Sequence, residues 1–232
     1  MYRLTNLKIV PITPQTLKKF LAISGLRGER PAKPKRISGY AAQILAGTFP
    51  KVIKRPQDRN VFTCSMADLF GKWVPDEWIA RVFEQVSRYQ RWNFLFLTKF
   101  PQRLRSVCDD LLKGFPDNAW VGCTVDSQAR VKTAQEAFTG LRAKVRWLSV
   151  EPMQERLTFN DMSMFHWLVV GGKSASSFNG TPEFQPELEW VEDLFKQARA
   201  ANLTIYCKEN LRVADLSMRP REVPWHIGAG IL

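Results

Sequence analysis

The stretch Phe94-Leu95-Phe96-Leu97-Thr98-Lys99-Phe100-Pro101-Gln102-Arg103-Leu104 contains one complete turn of the fold. Four apolar residues in a row are too few for a buried helix and suit a strand covered on both faces. Thr98 and Lys99 then take the chain out of the core, and Pro101 stands where a helix tolerates proline, in its first turn. Strand, polar exit, helix: the same order recurs on both sides of this unit.

Strand-length apolar runs fall at Asn60–Ser65, Phe94–Thr98, Ala119–Val125, Val145–Val150, His166–Val170 and Thr204–Cys207. Helical patterns fill most of the gaps. One starts at Pro75 and puts Trp78, Ile79, Val82, Phe83 and Val86 on a single stripe, with Asp76 and Glu77 where the helix dipole favours acids. Others fit Pro101–Leu112, Ser127–Leu141 and Pro186–Ala200. The spacing is roughly 30 residues per unit, and no Asn-Gly or Asp-Gly turn joins two strands. These features predict an α/β fold: a parallel (β/α) partial barrel of about six strands, similar to a TIM barrel. No sequence repeat accompanies the structural one.

Residues 1–60 read differently. Of the 34 Lys and Arg in the 232-residue chain, 13 lie here against only Glu29 and Asp58, so this quarter holds +11 of the net +12. The chain therefore divides into a basic N-terminal extension, 1–60, and a nearly neutral barrel domain, 61–232. Within the extension, Thr13 and Pro14 open a short helix with Leu17, Phe20 and Leu21 on one face. Residues 25–38 have loop composition, and a second short helix fits Ser38–Leu45. No strong strand is expected in it. Its charge makes nucleic acid a candidate partner through residues 1–60.

No run of about 18 apolar residues exists to span a membrane, and Met1-Tyr2-Arg3-Leu4 does not begin a secretory signal. Cys64, Cys108, Cys123 and Cys207 are widely separated, with no C-x-x-C and no zinc spacing, and His166 and His226 cannot complete a metal site. The reading is a reduced, cytoplasmic protein with no metal.

In parallel α/β folds the chemistry gathers at the carboxyl ends of the strands. The residues there are Ser65 and Asp68, Thr98 and Lys99, Thr124 and Asp126, Ser149 and Glu151, Gly171 and Gly172, and Lys208, Glu209 and Asn210. All are expected to converge on one ligand-binding mouth. Lys99 and Lys208 would neutralise Glu151 and attract a carboxylate-bearing or anionic ligand; in the alternative, a plain salt-bridged plug, Glu151 pairs with a lysine and leaves no room for a ligand. Gly171-Gly172 would let backbone N–H groups approach that ligand. Gly172-Lys173-Ser174 is not a phosphate loop, because Trp167 stands where its first glycine belongs. G-x-G-x-x-G and G-x-S-x-G are both absent. Most of the eight tryptophans fall at core positions, where packing explains them better than base stacking.

Six ordered blocks carry a family resemblance. They are Val61-Phe-Thr-Cys-Ser-Met-Ala-Asp-Leu-Phe-Gly-Lys-Trp-Val-Pro-Asp-Glu-Trp-Ile, Phe94-Leu-Phe-Leu-Thr-Lys-Phe-Pro-Gln-Arg-Leu and Trp120-Val-Gly-Cys-Thr-Val-Asp-Ser-Gln. Trp147-Leu-Ser-Val-Glu-Pro-Met, Trp167-Leu-Val-Val-Gly-Gly and Tyr206-Cys-Lys-Glu-Asn-Leu complete the set. Together they span residues 61–211 and resemble a phage-type protein family of uncharacterised function that looks related to the radical S-adenosylmethionine enzymes. The resemblance implies a barrel able to bind S-adenosylmethionine or an analogue. Proteins of this kind usually carry an N-terminal three-cysteine motif that holds a [4Fe–4S] cluster, and residues 1–60 contain no cysteine. An iron–sulfur cluster is therefore not expected, and reductive cleavage of the cofactor lacks an electron source. Two functions follow: a radical-enzyme-like barrel that keeps a ligand pocket without radical chemistry, or a nucleic-acid-binding or protein-interaction module that uses the basic extension.

Overall fold

The computed structural model describes residues 8–9, 60–63, 68–175, 180–213, 216 and 219–224. The helices expected from Thr13 and over Ser38–Leu45 lie outside the described residues.

Seven strands form one parallel sheet in strict chain order: β1 (Lys8–Ile9), β2 (Asn60–Phe62), β3 (Asn93–Thr98), β4 (Ala119–Thr124), β5 (Val145–Val150), β6 (Trp167–Val170) and β7 (Thr204–Cys207). The last six are the predicted strands. β1 adds to the expectation of no strong strand in the extension: Lys8 and Ile9 pair in parallel with Val61 and Phe62. Two residues show no period-2 pattern to read. Sequential parallel pairing, with helices between β2 and β5 and between β6 and β7 and a helix-free connection from β5 to β6, curls the sheet into an open half-barrel.

The helices are α1 (Asp76–Arg88), α2 (Pro101–Ser106), α3 (Gln128–Phe138) and α4 (Leu188–Ala200). α1 buries Ile79, Val82, Phe83 and Val86, the stripe its spacing predicts, and has Asp76 and Glu77 in its first turn. The helix predicted over Pro101–Leu112 changes type midway: α2 widens into a π-helical segment, Val107–Leu112, that ends on left-handed Lys113. Among the described residues no helix is long and apolar enough to cross a membrane.

Alternation along each strand sorts side chains onto two faces. Phe94, Phe96, Val121, Cys123, Leu148, Val150, Leu168, Val170, Ile205 and Cys207 pack with the helices in the main core. Leu95, Trp120, Val145, Trp147, Trp167, Val169 and Tyr206 form a second cluster on the concave face. Trp167 organises that cluster, standing edge-on to Trp120 at 6.2 Å and to Tyr206 at 6.2 Å, and tilted against Trp147 at 5.6 Å. Its indole N–H donates to the Glu222 carbonyl at 2.9 Å.

The segment 219–224 also protects the far edge of the sheet. The Cys207 N–H donates to the Pro220 carbonyl, and the Glu222 N–H donates to the Ile205 carbonyl, at 2.8 and 2.9 Å. An exposed strand edge is an aggregation hazard, and this antiparallel strap covers it. Arg199 clamps the strap through a two-pronged ion pair with Glu222.

Candidate functional site at the strand carboxyl ends

The concave face changes character from one end of the strands to the other. β5 reads Val145, Trp147, Ser149 and then Glu151; β4 reads Trp120, Gly122, Thr124; β6 reads Trp167, Val169 and then Gly171; β7 leads from Tyr206 to Lys208. Aromatic rings fill the amino end, small residues occupy the middle, and polar groups stand at the carboxyl end. Because parallel strands share a direction, this one-dimensional gradient becomes a polar mouth over an apolar floor.

Glu151 and Lys208 meet there, the pairing that the salt-bridged plug predicts. The Lys208 ammonium donates to both carboxylate oxygens, at 2.5 and 2.6 Å, and the two side chains retain only 25% and 27% exposure. The pair spans a whole strand, since Glu151 follows β5 and Lys208 follows β7. Gly171, at the end of β6, lies between them. The Gly171 N–H donates to the Val150 carbonyl, and the Lys208 N–H donates to the Val170 carbonyl, so the three residues are successive neighbours across the sheet. A Cβ on Gly171 would lie 3.1 Å from the Glu151 carboxyl carbon and 2.8 Å from Asn210 Oδ1. Its missing side chain lets the pair form.

Asn210 completes the group. Its amide nitrogen donates to Glu151 Oε1 at 2.9 Å and to the Gly172 carbonyl at 2.6 Å, while its buried Oδ1 has no hydrogen-bond partner. Gln185, which was not singled out in the sequence, ties the β6–α4 connection to this corner. It donates to the Asn210 carbonyl at 2.9 Å and accepts from the Arg212 N–H at 2.8 Å. A Cβ on Gly172 would meet that same Gln185 amide at 2.6 Å. Both glycines thus make room for neighbouring side chains, and the Gly171 N–H is spent inside the sheet.

Asp68 has a different occupation. Its carboxylate accepts the Thr98 hydroxyl at 2.8 and 3.0 Å, the Lys99 N–H at 2.8 Å and the Phe70 N–H at 3.0 Å. The Thr98 hydroxyl in turn accepts the Phe100 N–H at 2.8 Å. This is a clasp that fastens the β2–α1 loop to the end of β3. Thr98 continues the alternation of Phe94 and Phe96 and so belongs to the helix side, not to the concave mouth. Asp126 pairs with Arg130 at 2.9 Å, and its carbonyl accepts the Gln154 N–H at 3.1 Å.

Thr124 and Ser149, direct partners in the β4–β5 register, are buried on the concave face. Lys99 and Glu209 are exposed, and among the described residues neither has an ion-pair partner. Ser65 lies outside the described residues. The grouping around Glu151 therefore contains Gly171, Lys208 and Asn210, with Thr124 and Ser149 below. Asp68, Thr98 and Asp126 secure the rim. A cleft of about 460 Å³ lies elsewhere, between α3 and the segment 158–164, with Gln128, Val131, Gln135, Asp161 and Met164 in its walls.

The three described cysteines do not fit an iron–sulfur cluster. Cys123 and Cys207 point from their strands into the helix-side core, and Cys108 is buried in the π-helical segment. Burial pushes all three thiols up, Cys207 to about 11, away from the thiolate form that a cluster requires. Among the described residues no three His, Cys, Asp or Glu side chains gather as metal ligands. Cys64 lies outside the described residues.

No curated protein matches this chain. No solved structure matches it either. Residues 27–219, which include every helix described here and the whole Glu151–Lys208 group, match the family described as "Protein of unknown function (DUF5131)", and the chain belongs to that family.

Proposed function

We propose that the half-barrel is a radical-S-adenosylmethionine-like protein of phage or mobile-element type that binds S-adenosylmethionine or a related α-amino-acid ligand in its mouth. One observation carries the reading: a carboxylate and an ammonium, each about three-quarters buried, face one another at the strand carboxyl ends. An α-amino acid presents the complementary charges, its ammonium for Glu151 and its carboxylate for Lys208. Inserting it exchanges one internal ion pair for two intermolecular ones, so neither protein charge is left unpaired. Asn210 adds an acceptor, since its Oδ1 has no partner. Thr124 and Ser149, with Trp147 and Trp167 beneath them, are buried and would support the site from below rather than face the ligand. No radical step is assigned to this chain, because its described thiols are buried on the opposite face of the sheet.

Calorimetric titration with S-adenosylmethionine and S-adenosylhomocysteine tests the proposal. Wild type is expected to release or absorb heat with at least one ligand, and Glu151→Gln to weaken it at least tenfold. No heat with either ligand overturns the reading. Binding that survives Glu151→Gln unchanged moves the site elsewhere.

The charge of residues 1–60 favours a second activity, salt-dependent attraction of polyanions. Deleting those residues is expected to abolish retention on a phosphate-rich column. Unchanged retention would assign the basic surface to the barrel.

A further inference from the structure

Trp73 breaks the packing rule that the other described tryptophans follow. Trp92, Trp120, Trp147 and Trp167 are buried and Trp78 and Trp190 are partly buried, whereas Trp73 is 63% exposed. It is also held in place. The indole lies so close against Gly71 that a Cβ there would approach the ring to 2.5 Å, and Phe100 stands edge-on to it at 5.6 Å and 88°. The loop beneath is fastened by Asp68. The Asp68 backbone carbonyl accepts the Gly71 N–H at 3.2 Å, and its carboxylate grips Phe70 and Lys99. Gly71 in turn accepts the Val74 N–H at 2.9 Å. A large ring that is both exposed and immobilised loses little conformational freedom when something stacks on it.

The charges beside it indicate what that partner is. Lys72 precedes Trp73 and Lys99 precedes Phe100; both lysines are exposed, and among the described residues neither has an ion-pair partner. Nearby Arg103, by contrast, is taken up by Asp76. An aromatic platform flanked in sequence by two exposed lysines, with exposed Glu77 one turn further on, suits a partner that is at once aromatic and anionic. We propose that Trp73 is a stacking platform for bases of a single-stranded nucleic acid, with Lys72 and Lys99 meeting its phosphates. The platform lies at the β2 and β3 end of the rim. It stands independently of the amino-acid site, which is built on β5, β6 and β7.

Fluorescence anisotropy of the full chain with a labelled, mixed-sequence single-stranded DNA of about 15 nucleotides tests the proposal across a range of salt. Trp73→Ala is expected to weaken binding about tenfold, and Trp73→Phe to stay within about threefold of wild type. Lys72→Glu with Lys99→Glu is expected to lower affinity and to flatten the salt dependence. Heparin, a polyanion without aromatic rings, should be retained equally by wild type and Trp73→Ala. Three results would overturn the proposal: wild type that binds no oligonucleotide, Trp73→Ala that binds as wild type does, or Trp73→Ala that instead converts a dimer to a monomer. Circular dichroism melts of each variant separate these outcomes from misfolding, and calorimetry with S-adenosylmethionine on Trp73→Ala keeps them distinct from the mouth reading.

Discussion

Gly122 on β4 is the direct cross-strand partner of Trp147 on β5, and the Trp147 indole occupies the space that a side chain on Gly122 would need. A Cβ there would lie 2.5 Å from the ring and 2.6 Å from the Trp147 carbonyl. The pairing lets the aromatic floor close on the concave face, below the polar mouth.

Gly122→Ala is therefore expected to destabilise the protein by about 1–3 kcal/mol, the range for overpacking a well-packed core. Urea unfolding monitored by tryptophan fluorescence measures it. Adding Trp147→Phe should recover only part of the loss, because one of the close contacts is backbone.

The Glu151–Lys208 pair is expected to behave as a unit. Lys208→Met leaves a mostly buried carboxylate with the Asn210 amide as its remaining partner, at a cost of about 2 kcal/mol. Glu151→Gln in the same background should cost less than the sum of the two single changes. Strict additivity in a double-mutant cycle would show that the two charges are not coupled. Gly171→Ala should mimic the loss of the pair without removing either charge.

Acid sensitivity is expected to have a source in the strap over β7. The Arg199 guanidinium, with help from the Ile205 N–H, holds the Glu222 carboxyl below its ordinary value of 4.5. A carboxylate so depressed contributes stability that is present above about pH 4.5 and is lost as pH falls through the lower folded value. The stability difference between wild type and Glu222→Gln should be constant near neutrality and shrink progressively below pH 4.5. Denaturant unfolding across pH 7 to 3 reads it, and a difference that grows on acidification would contradict this account.

Thiol chemistry offers an independent check on the faces of the sheet. With Cys64 replaced by Ser, the native protein should show no rapid reaction with a disulfide reagent at pH 8, because Cys108, Cys123 and Cys207 are buried and their thiols raised. All three should titrate at once in denaturant. A fast native phase would place one of them at the surface.

Much of the scaffold was legible in local pattern. The runs ending at Thr98, Val150 and Cys207 are strands because their largely apolar character suits burial on both faces, and Ile79, Val82, Phe83 and Val86 recur at the period of one helix face. The parallel, in-order topology follows from long connections between the strands, most of them helical, which leave too much chain for hairpins. The list of strand ends also held Glu151, Gly171, Lys208 and Asn210, because a shared strand direction brings such residues to one face.

Tertiary contact alone decided what each of those residues does. Asp68 and Glu151 are both acids just beyond a strand, yet one is consumed by backbone N–H groups and a hydroxyl and the other faces an ammonium. Gly171, expected to open the strand end to a ligand, gives its N–H to the Val150 carbonyl and leaves the gap through which Lys208 reaches Glu151. Gln185 gave no local signal, since a loop glutamine becomes informative only when residues 25 and 27 positions away accept from it or donate to it. Trp73 and Trp147 are the same residue type in similarly apolar surroundings, and one is exposed while the other forms the floor. The sequence by itself determined which segments become strands and helices, because that depends on neighbours a few residues apart. The partners of each polar group and the faces left open depend on strands that meet across tens of residues, and only the folded structure decides them.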